Sequence, residues 1–129
     1  LEKLKIFPDE LVKRQTVANS YTEMLSQWFA TPQIESSSIS CWAQYTLKLA
    51  NRDLVQNRMR EQGIPTVVYY PKALTQQTGY KDFPGVSGGT PVSERLSSTV
   101  LSLPMHPYLT FEEQEFICDT LKEVASNEG

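Results

Sequence analysis

The sequence predicts an α+β fold, with a small sheet of about three strands and helices packed on one side. Before Ala30, apolar side chains recur at helical spacing. The stretch 41–49 alternates apolar and polar side chains, as a strand with one buried face does. Residues 66–70 form a β-branched and aromatic run between a helix stop and a proline. These patterns do not give the strand order.

The composition is that of one globular domain. A chain of 129 residues can bury one core but not two, and 40% hydrophobic with 21% charged residues is typical of soluble proteins. The net charge of −3 argues against nucleic acid or an acidic membrane as partner. Without a transmembrane run or a signal-peptide pattern, a cytoplasmic location is expected.

The chain contains two cysteines, Cys41 and Cys118, and one histidine, His106. One disulfide would be compatible with this count, but two small buried thiols are the prediction. No Cys/His cluster exists, so no metal site is predicted. His106 stands between two prolines without a recognisable nucleophile to activate. It is therefore expected to be a turn residue, with no catalytic role.

The N-terminal third predicts a long helix. Leu1–Phe7 reads as a helical remnant that Pro8 interrupts, and the main helix then runs over Asp9–Phe29. Its apolar stripe predicts core packing, with an interdomain or dimer contact at the Trp28–Phe29 end as the alternative. The stripe consists of Leu11, Ala18, Tyr21, Leu25 and Trp28. Because the chain starts within a helix pattern and without Met, it is expected to be one domain of a longer protein.

A strand, a helix and a second strand follow. Cys41–Leu49 is the first strand, and Asn51–Gln62 is a helix that Gly63 ends by adopting a left-handed conformation. Thr66–Tyr70 is predicted as a buried strand that Pro71 ends. This order indicates a split or crossover βαβ unit. In the first strand, one face is predicted to carry Cys41, Ala43, Tyr45, Leu47 and Leu49, and the other Trp42, Gln44, Thr46 and Lys48.

The remainder predicts a loop, a short strand and a closing helix. Lys72–Val92 lacks periodicity, and a loop of this length is usually functional or mobile; its glycines do not form a phosphate-binding motif. Ser93–Leu96 can form one helical turn, and Thr99–Leu103 a short strand. Thr110 and Glu113 form a capping box that opens a final helix to about Val124, after which the chain should fray. Its inner face is predicted to carry Phe116, Ile117, Leu121 and Val124.

Residues 69–77 are the candidate ligand rim. Tyr69 and Tyr70 end a predicted strand, where a ring and a hydroxyl can contact a sugar. The alternative is that one of the two rings belongs to the core. Lys72 enters a loop, so contact with a ligand phosphate is a better prediction for it than a Schiff base, which needs a desolvated lysine. No pair of carboxylates stands out as acid and base.

Five segments, taken in order, resemble the C-terminal domain of the DegT/StrS-type sugar aminotransferases, and the resemblance covers nearly the whole chain. Singly each segment is a weak signal, but their order and spacing are specific. The segments are Ser40-Cys-Trp-Ala-Gln-Tyr-Thr-Leu47, Asn51-Arg-Asp53, Gln62-Gly-Ile-Pro-Thr-Val-Val-Tyr-Tyr-Pro71, Pro91-Val-Ser-Glu-Arg-Leu-Ser97 and Val100-Leu-Ser-Leu-Pro-Met-His-Pro107.

This resemblance implies a fold-type-I, pyridoxal-phosphate-dependent enzyme. Such enzymes are cytoplasmic homodimers that move an amino group from glutamate to a nucleotide-linked keto-sugar, for lipopolysaccharide and other glycans. In the family, the large N-terminal domain holds the cofactor and its lysine. Residues 1–129 would then be a single small C-terminal domain, without catalytic or cofactor-binding residues and inactive alone. The alternative is a stand-alone binding or regulatory module with the same fold.

The resemblance also implies four substrate-binding residues. Tyr69 and Tyr70 match the family's His/Tyr-Tyr pair, and Gln77 matches the glutamine of the following segment. Thr75 stands where relatives often have His or Asn, a departure that leaves the sugar open. The loop 81–90 is longer than the turn of many relatives. Within the family, the pattern resembles the enzymes that aminate 3-keto-N-acetylglucosaminuronic acid.

Overall fold

A computed structural model describes residues 1–126 and contains, within them, four α-helices and a two-stranded sheet. In chain order the elements are α1 (Glu2–Leu25), β1 (Tyr45–Lys48), α2 (Arg52–Glu61), α3 (Pro91–Thr99), β2 (Val100–Leu103) and α4 (Phe111–Ser126), with a 3₁₀ turn over Leu74–Gln76. Ala125 and Ser126 belong to α4, and the remainder of the segment predicted to fray, 127–129, lies outside the described residues. No helix within residues 1–126 combines the length and apolar composition needed to cross a membrane.

The sheet is a split βαβ unit, which is one of the two arrangements, split or crossover, that the sequence predicted. β1 and β2 are antiparallel, with Tyr45 opposite Leu103 and Leu47 opposite Leu101. On the other side of β2, Val67 forms one antiparallel bridge with Ser102. The segment around Val67 therefore runs parallel to β1, with β2 between them, which confirms the α+β class.

The third strand is much shorter than predicted. Instead of a strand over Thr66–Tyr70, only Val67 pairs with β2. Prolines at 65 and 71 lack the backbone N–H that a ladder longer than this stretch would need, but within 66–70 the pairing is limited to Val67. In contrast, α3 is longer than the predicted turn over Ser93–Leu96, because Pro91 at its first position is pre-organised for a helix.

The core lies on one face of the sheet, as predicted. Alternate residues of β1 and β2 point toward α1, α2 and α4, which pack on that face. The buried apolar residues include Ala18, Tyr21 and Leu25 of α1, Tyr45, Leu47, Leu101 and Leu103 of the strands, Val55 and Met59 of α2, and Ile117, Cys118 and Leu121 of α4. The opposite face of the sheet carries Thr46 and Ser102, whose hydroxyls lie 2.8 Å apart.

Helix α1 differs from the prediction at both ends. It runs unbroken from Glu2 through Pro8, so the predicted interruption is wrong. Proline removes the hydrogen bond to the Leu4 carbonyl, but the turns on either side of it remain helical. At the other end the helix stops at Leu25, and the Trp28 side chain is exposed rather than part of the buried stripe. An interdomain or dimer contact at this end stays a prediction.

Trp42 is buried, although the alternating pattern placed it on the solvent face. Its backbone has a φ of 46°, outside any strand, and its ring stacks on Tyr45 at 5.8 Å. The indole N–H donates to Gln15 Oε1 at 2.9 Å, and the Arg14 guanidinium donates to the Trp42 carbonyl at 3.0 Å. Contacts with α1 therefore override the local strand pattern.

The prediction of two buried thiols holds for one cysteine. Both cysteines are free, but Cys41 is exposed, because the chain before β1 is not part of the sheet. Cys118 is buried in α4, and this burial raises the pKa of its thiol to about 12. Cys118 therefore stays protonated at neutral pH and packs as a small apolar side chain.

The capping box that opens α4 is confirmed. The Thr110 backbone N–H donates to Glu113 Oε2 at 2.8 Å, and the Glu113 backbone N–H donates to Thr110 Oγ1 at 3.2 Å. Its inner face carries Ile117, Leu121 and Val124 as predicted, but Phe116 is 55% exposed. The inner face is shifted toward Gln114, which is buried and donates to the Val17 carbonyl at 2.9 Å.

A polar cluster joins the first turns of α1 to the turn before α4. The Glu10 carboxylate is almost fully buried and accepts hydrogen bonds from the Lys3 ammonium and from the Tyr108 hydroxyl. The Lys13 ammonium lies 5.4 Å from the centre of the Tyr108 ring. The hydrogen bond from Lys3, and then that from Tyr108, hold the pKa of Glu10 below its usual value.

Leu121→Ala should lower the free energy of unfolding by about 2–5 kcal/mol, because it leaves a cavity in a fully buried site. Phe116→Ala on the same helix should change it by no more than about 0.5 kcal/mol, because that side chain is exposed. Urea denaturation followed by circular dichroism measures both. Equal losses from the two variants would contradict the inner face of α4 described above.

Glu10→Gln should make the protein less sensitive to acid. The folded-state pKa of Glu10 lies below the ordinary 4.5, so its ionised form adds stability above that pH, and this stability is lost as the pH falls through the folded-state pKa. Between neutral pH and about pH 3, the free energy of unfolding of the variant should therefore fall less than that of the wild type. Glu61→Gln, at an exposed carboxylate, is the control. If the free energy of unfolding of wild type and of Glu10→Gln falls equally between neutral pH and about pH 3, the Glu10 cluster does not contribute to stability in the way described.

Candidate functional site

A helix stop directs the chain into the candidate site. Gly63, with a φ of 77°, follows the end of α2 as predicted. Its N–H donates to the Arg60 carbonyl and the Ile64 N–H to the Met59 carbonyl, each at 2.9 Å, which is the Schellman pattern. Ile64 is buried, so the chain after α2 is anchored in the core before it turns along β2.

Tyr69 and Tyr70 come two and three residues after the bridge at Val67. The Val67 N–H donates to the Ser102 carbonyl at 3.1 Å, and the Ser102 N–H donates back at 2.8 Å. Beyond this bridge the chain leaves the sheet, and the peptide bond between the tyrosines is cis. Their rings lie 5.7 Å apart at 78°. The rings are 43% and 68% exposed, so the alternative that one belongs to the core is wrong.

The two tyrosines line a cleft of about 530 Å³, which we call the first cleft. One wall is the segment 69–77 and the other is α3 with the start of β2. Its lining residues are Tyr69, Tyr70, Lys72, Ala73, Leu74, Gln77, Ser93, Leu96, Ser97 and Val100. The structure thus brings together Tyr69, Tyr70 and Gln77 from the predicted set. Sequence reasoning missed Ser93 and Ser97, which share one helix face only because α3 extends past Leu96.

Thr75 lines a neighbouring cleft of about 480 Å³, the second cleft. Its hydroxyl lies 2.8 Å from the Thr90 hydroxyl, which donates to Glu94 Oε1 at 3.1 Å. Leu74 lines both clefts and lies where they adjoin. Thr75 therefore lies in a different cleft from Tyr69, Tyr70 and Gln77, because the 3₁₀ turn over Leu74–Gln76 places it on the other side of Leu74.

The first cleft is suited to binding a hydroxylated, anionic ligand. Lys72 is the one charged residue among its lining residues, in a chain of net charge −3. Tyrosine and serine hydroxyls and the Gln77 amide offer donors and acceptors around it. No carboxylate or imidazole lines this cleft, so it provides binding groups rather than an acid–base pair.

His106 lies elsewhere, at a third cleft of about 260 Å³. It is exposed in the turn before α4, and its Nδ1 accepts a hydrogen bond from the Tyr108 backbone N–H at 3.2 Å. Within residues 1–126, no group of three or more His, Cys, Asp or Glu side chains is arranged to hold a metal ion. Through its hydrogen bond with the Tyr108 backbone N–H, His106 caps the turn before α4.

The described residues do not fit a covalent anchor for pyridoxal phosphate. A Schiff-base lysine reacts because a desolvated pocket lowers its pKa. Every lysine within residues 1–126 is at least partly exposed, and Lys72 in the first cleft is exposed.

The fold is that of a small α+β domain whose first cleft is lined by tyrosine, serine, glutamine and lysine residues, and comparison with known proteins gives its family. Residues 1–122 match the model of the DegT/DnrJ/EryC1/StrS aminotransferase family. Because this match covers nearly the whole chain, the chain belongs to that family.

Two relatives show the range within the family. The chain is 41% identical, over 122 residues, to UDP-2-acetamido-2-deoxy-3-oxo-D-glucuronate aminotransferase of Pseudomonas aeruginosa. It is 31% identical, also over 122 residues, to the erythromycin biosynthesis sensory transduction protein EryC1 of Saccharopolyspora erythraea. These matches cover 94% and 93% of the chain but 33% of each relative. The chain thus spans about a third of the length of the curated relatives it matches.

Solved structures have the same fold. A DegT DnrJ EryC1 StrS aminotransferase from Brucella abortus matches with a TM-score of 0.93 at 41% identity, over 98% of this chain and 34% of that one. DesV of S. venezuelae matches with a TM-score of 0.90 at 23% identity, over 98% of this chain and 34% of that one, a likeness of fold alone. The α+β architecture therefore recurs as part of longer aminotransferase chains.

Proposed function

We propose that residues 1–129 are the small C-terminal domain of a pyridoxal-phosphate-dependent sugar-nucleotide aminotransferase. The complete enzyme would transfer an amino group from glutamate to a keto-sugar carried on a nucleotide. Family membership supports this reaction class. The observation that supports the domain's own role is the first cleft, whose lining residues include two tyrosines, two serines, a glutamine and one lysine.

In this proposal the domain binds and orients the sugar. Tyr69 and Tyr70, nearly perpendicular, can present one ring face and one ring edge to the sugar, with both hydroxyls available for hydrogen bonds. The Gln77 amide and the two serines of α3 complete the polar lining. Bound pyridoxal phosphate would supply the electron sink for amino transfer, and its lysine would come from a large N-terminal domain outside this chain.

We infer that the sugar carries a carboxylate, so that the ligand is a keto-uronate. Lys72 supports this, because a lone ammonium beside hydroxyl groups favours an anion in a partly enclosed cleft. The Pseudomonas aeruginosa relative is named for an oxo-glucuronate substrate. We also propose that the complete enzyme acts in lipopolysaccharide or surface-glycan synthesis as a cytoplasmic homodimer.

The 129-residue chain produced alone should fold but show no transamination of a UDP-linked 3-keto-uronate with glutamate. The core supports independent folding, while no described lysine fits the cofactor. Product formation is measured by mass spectrometry, beside the native polypeptide as positive control. The intact mass of that native polypeptide gives its length. A native chain of about 14.6 kDa without activity would instead support a stand-alone binding module.

Two substitutions separate binding of the sugar ring from recognition of its charge. In the native enzyme, Tyr70→Phe should raise KM about three- to tenfold for the keto-uronate and for the uncharged keto-sugar, since both lose one hydrogen bond. Lys72→Gln should raise KM about tenfold or more for the uronate alone, because it removes a charge-assisted contact. Steady-state kinetics with both substrates measure this.

Cofactor absorbance is the control in the same experiment, and it should be unchanged in both variants. If Tyr70→Phe abolishes cofactor binding, the role of the first cleft is wrong. Equal effects of Lys72→Gln on the charged and uncharged sugars would reject the uronate while leaving the aminotransferase assignment in place.

A further inference from the structure

We propose that a cleft between the end of β1 and α3 is a phosphate-binding site. The cleft, which we call the cation cleft, has a volume of about 270 Å³ and is lined by two basic side chains, Lys48 of β1 and Arg95 of α3. Its other lining residues are Leu49, Ala50, Leu96 and Thr99. Such a site would bind phosphate whether or not the complete enzyme is an aminotransferase.

The two basic side chains of the cation cleft are unpaired. In the part of the chain that the structure describes, neither Lys48 nor Arg95 forms an ion pair or a side-chain hydrogen bond, although several other basic side chains there pair with carboxylates. No carboxylate is among the lining residues. The acidic residues nearest in sequence are engaged elsewhere, because Glu94 lines the second cleft and Asp53 pairs with Arg52. Two unpaired positive charges in one cleft repel each other, and a bound anion would offset this repulsion.

The dipole of α3 does not account for the position of Arg95. Basic side chains are favourable in the last turn of a helix, next to its free carbonyl groups. The last turn of α3 contains none, and Arg95 lies in the middle of this helix, which spans Pro91–Thr99. A different cause is therefore needed for an unpaired arginine beside an unpaired lysine, and an anionic ligand supplies it.

Both cations extend from ordered backbone. Lys48 lies opposite Val100 in the sheet, so its Cα position is fixed by the pairing of β1 with β2. The next residue, Leu49, donates its N–H to the Thr99 carbonyl at 2.9 Å, which joins the end of β1 to the end of α3. No loop has to become ordered to bring the two charges to one cleft, and this lowers the entropic cost of binding a small ion.

The donors in the cation cleft select a phosphate group. Lysine and arginine side chains donate hydrogen bonds only, and the planar arginine fork matches two phosphate oxygens. The Thr99 hydroxyl donates to the backbone carbonyls of Arg95 and Leu96, at 3.2 and 3.3 Å, so it adds no free proton. A ligand rich in acceptor oxygens therefore fits. A free amino acid fits less well, because no carboxylate lines the cleft to receive its ammonium group.

The cation cleft adjoins the first cleft, and Leu96 lines both. Helix α3 forms one wall of the first cleft, so a phosphate that bridges Lys48 and Arg95 would tie that wall to β1. A ligand that binds only the folded state also raises the stability of that state. Phosphate should therefore raise the melting temperature of the protein as well as bind to it.

The test measures binding of inorganic phosphate to the native polypeptide, saturated with its cofactor, by isothermal titration calorimetry at constant ionic strength. Lys48→Gln and Arg95→Gln should each weaken this binding about tenfold or more, because each removes a charge-assisted contact. Arg60→Gln is the matched control, since it removes the same charge from an exposed arginine on α2 outside the cleft. It should leave the affinity unchanged. Phosphate should raise the Tm of wild type and Arg60→Gln by more than that of the other two variants.

The comparison of variants isolates this site, because phosphate bound anywhere else, including at the cofactor site, is kept in all of them. Phenyl phosphate in the same titration identifies the source of the group. Tighter binding than that of inorganic phosphate indicates an organic ester whose body contacts Leu49 and Leu96, and weaker binding indicates the free ion. Either result supports the site if Lys48→Gln and Arg95→Gln both lose it.

Three results would overturn the inference. The first is the absence of saturable phosphate binding by the wild type. The second is wild-type affinity in Lys48→Gln and Arg95→Gln. The third is an equal loss in Arg60→Gln, which would show an effect of net charge rather than of a site. None of these results depends on transamination, so the proposed function is tested separately.

Discussion

The structure depends on the contact between two buried tyrosines, Tyr21 of α1 and Tyr45 of β1. Their ring centroids lie 5.0 Å apart, and both side chains are fully buried. Burial of this kind is favourable only if each hydroxyl finds a partner. Tyr21 donates to the Pro104 carbonyl at 2.9 Å, and the Tyr45 hydroxyl lies 2.9 Å from Thr22 Oγ1. Burial raises the pKa of both phenols, which keeps them neutral.

These contacts help to position the first cleft, because β2 connects them to the segment that lines it. Tyr21 holds the chain just after β2, and β2 pairs with β1 on one side and with Val67 on the other. Val67 in turn sets where the tyrosine pair leaves the sheet. Helix α3, which leads directly into β2, forms the opposite wall of the first cleft. Both walls are therefore attached to the same central strand.

The sequence predicts features whose signals are local. Gly63 and the Thr110 capping box identify helix ends because each satisfies backbone groups within a few residues. Trp42 carries no such signal, since its burial depends on Gln15 and Arg14, far away in the chain. At the site, the end of the predicted strand singled out Tyr69 and Tyr70, and the resemblance to a family added Gln77. The placement of Thr75 in a different cleft depends on the path of the loop, which no local pattern encodes.

The single bridge at Val67 has a consequence for how the domain can diversify. Two backbone hydrogen bonds attach the segment that lines the first cleft to β2, and among the described residues no continuous ladder fixes the register of the residues after Val67. Insertions and substitutions beyond Val67 can therefore reshape the two clefts without disturbing pairing between β1 and β2. For enzyme engineering, this stretch is the place to graft a new specificity, because the rest of the domain acts as a fixed frame.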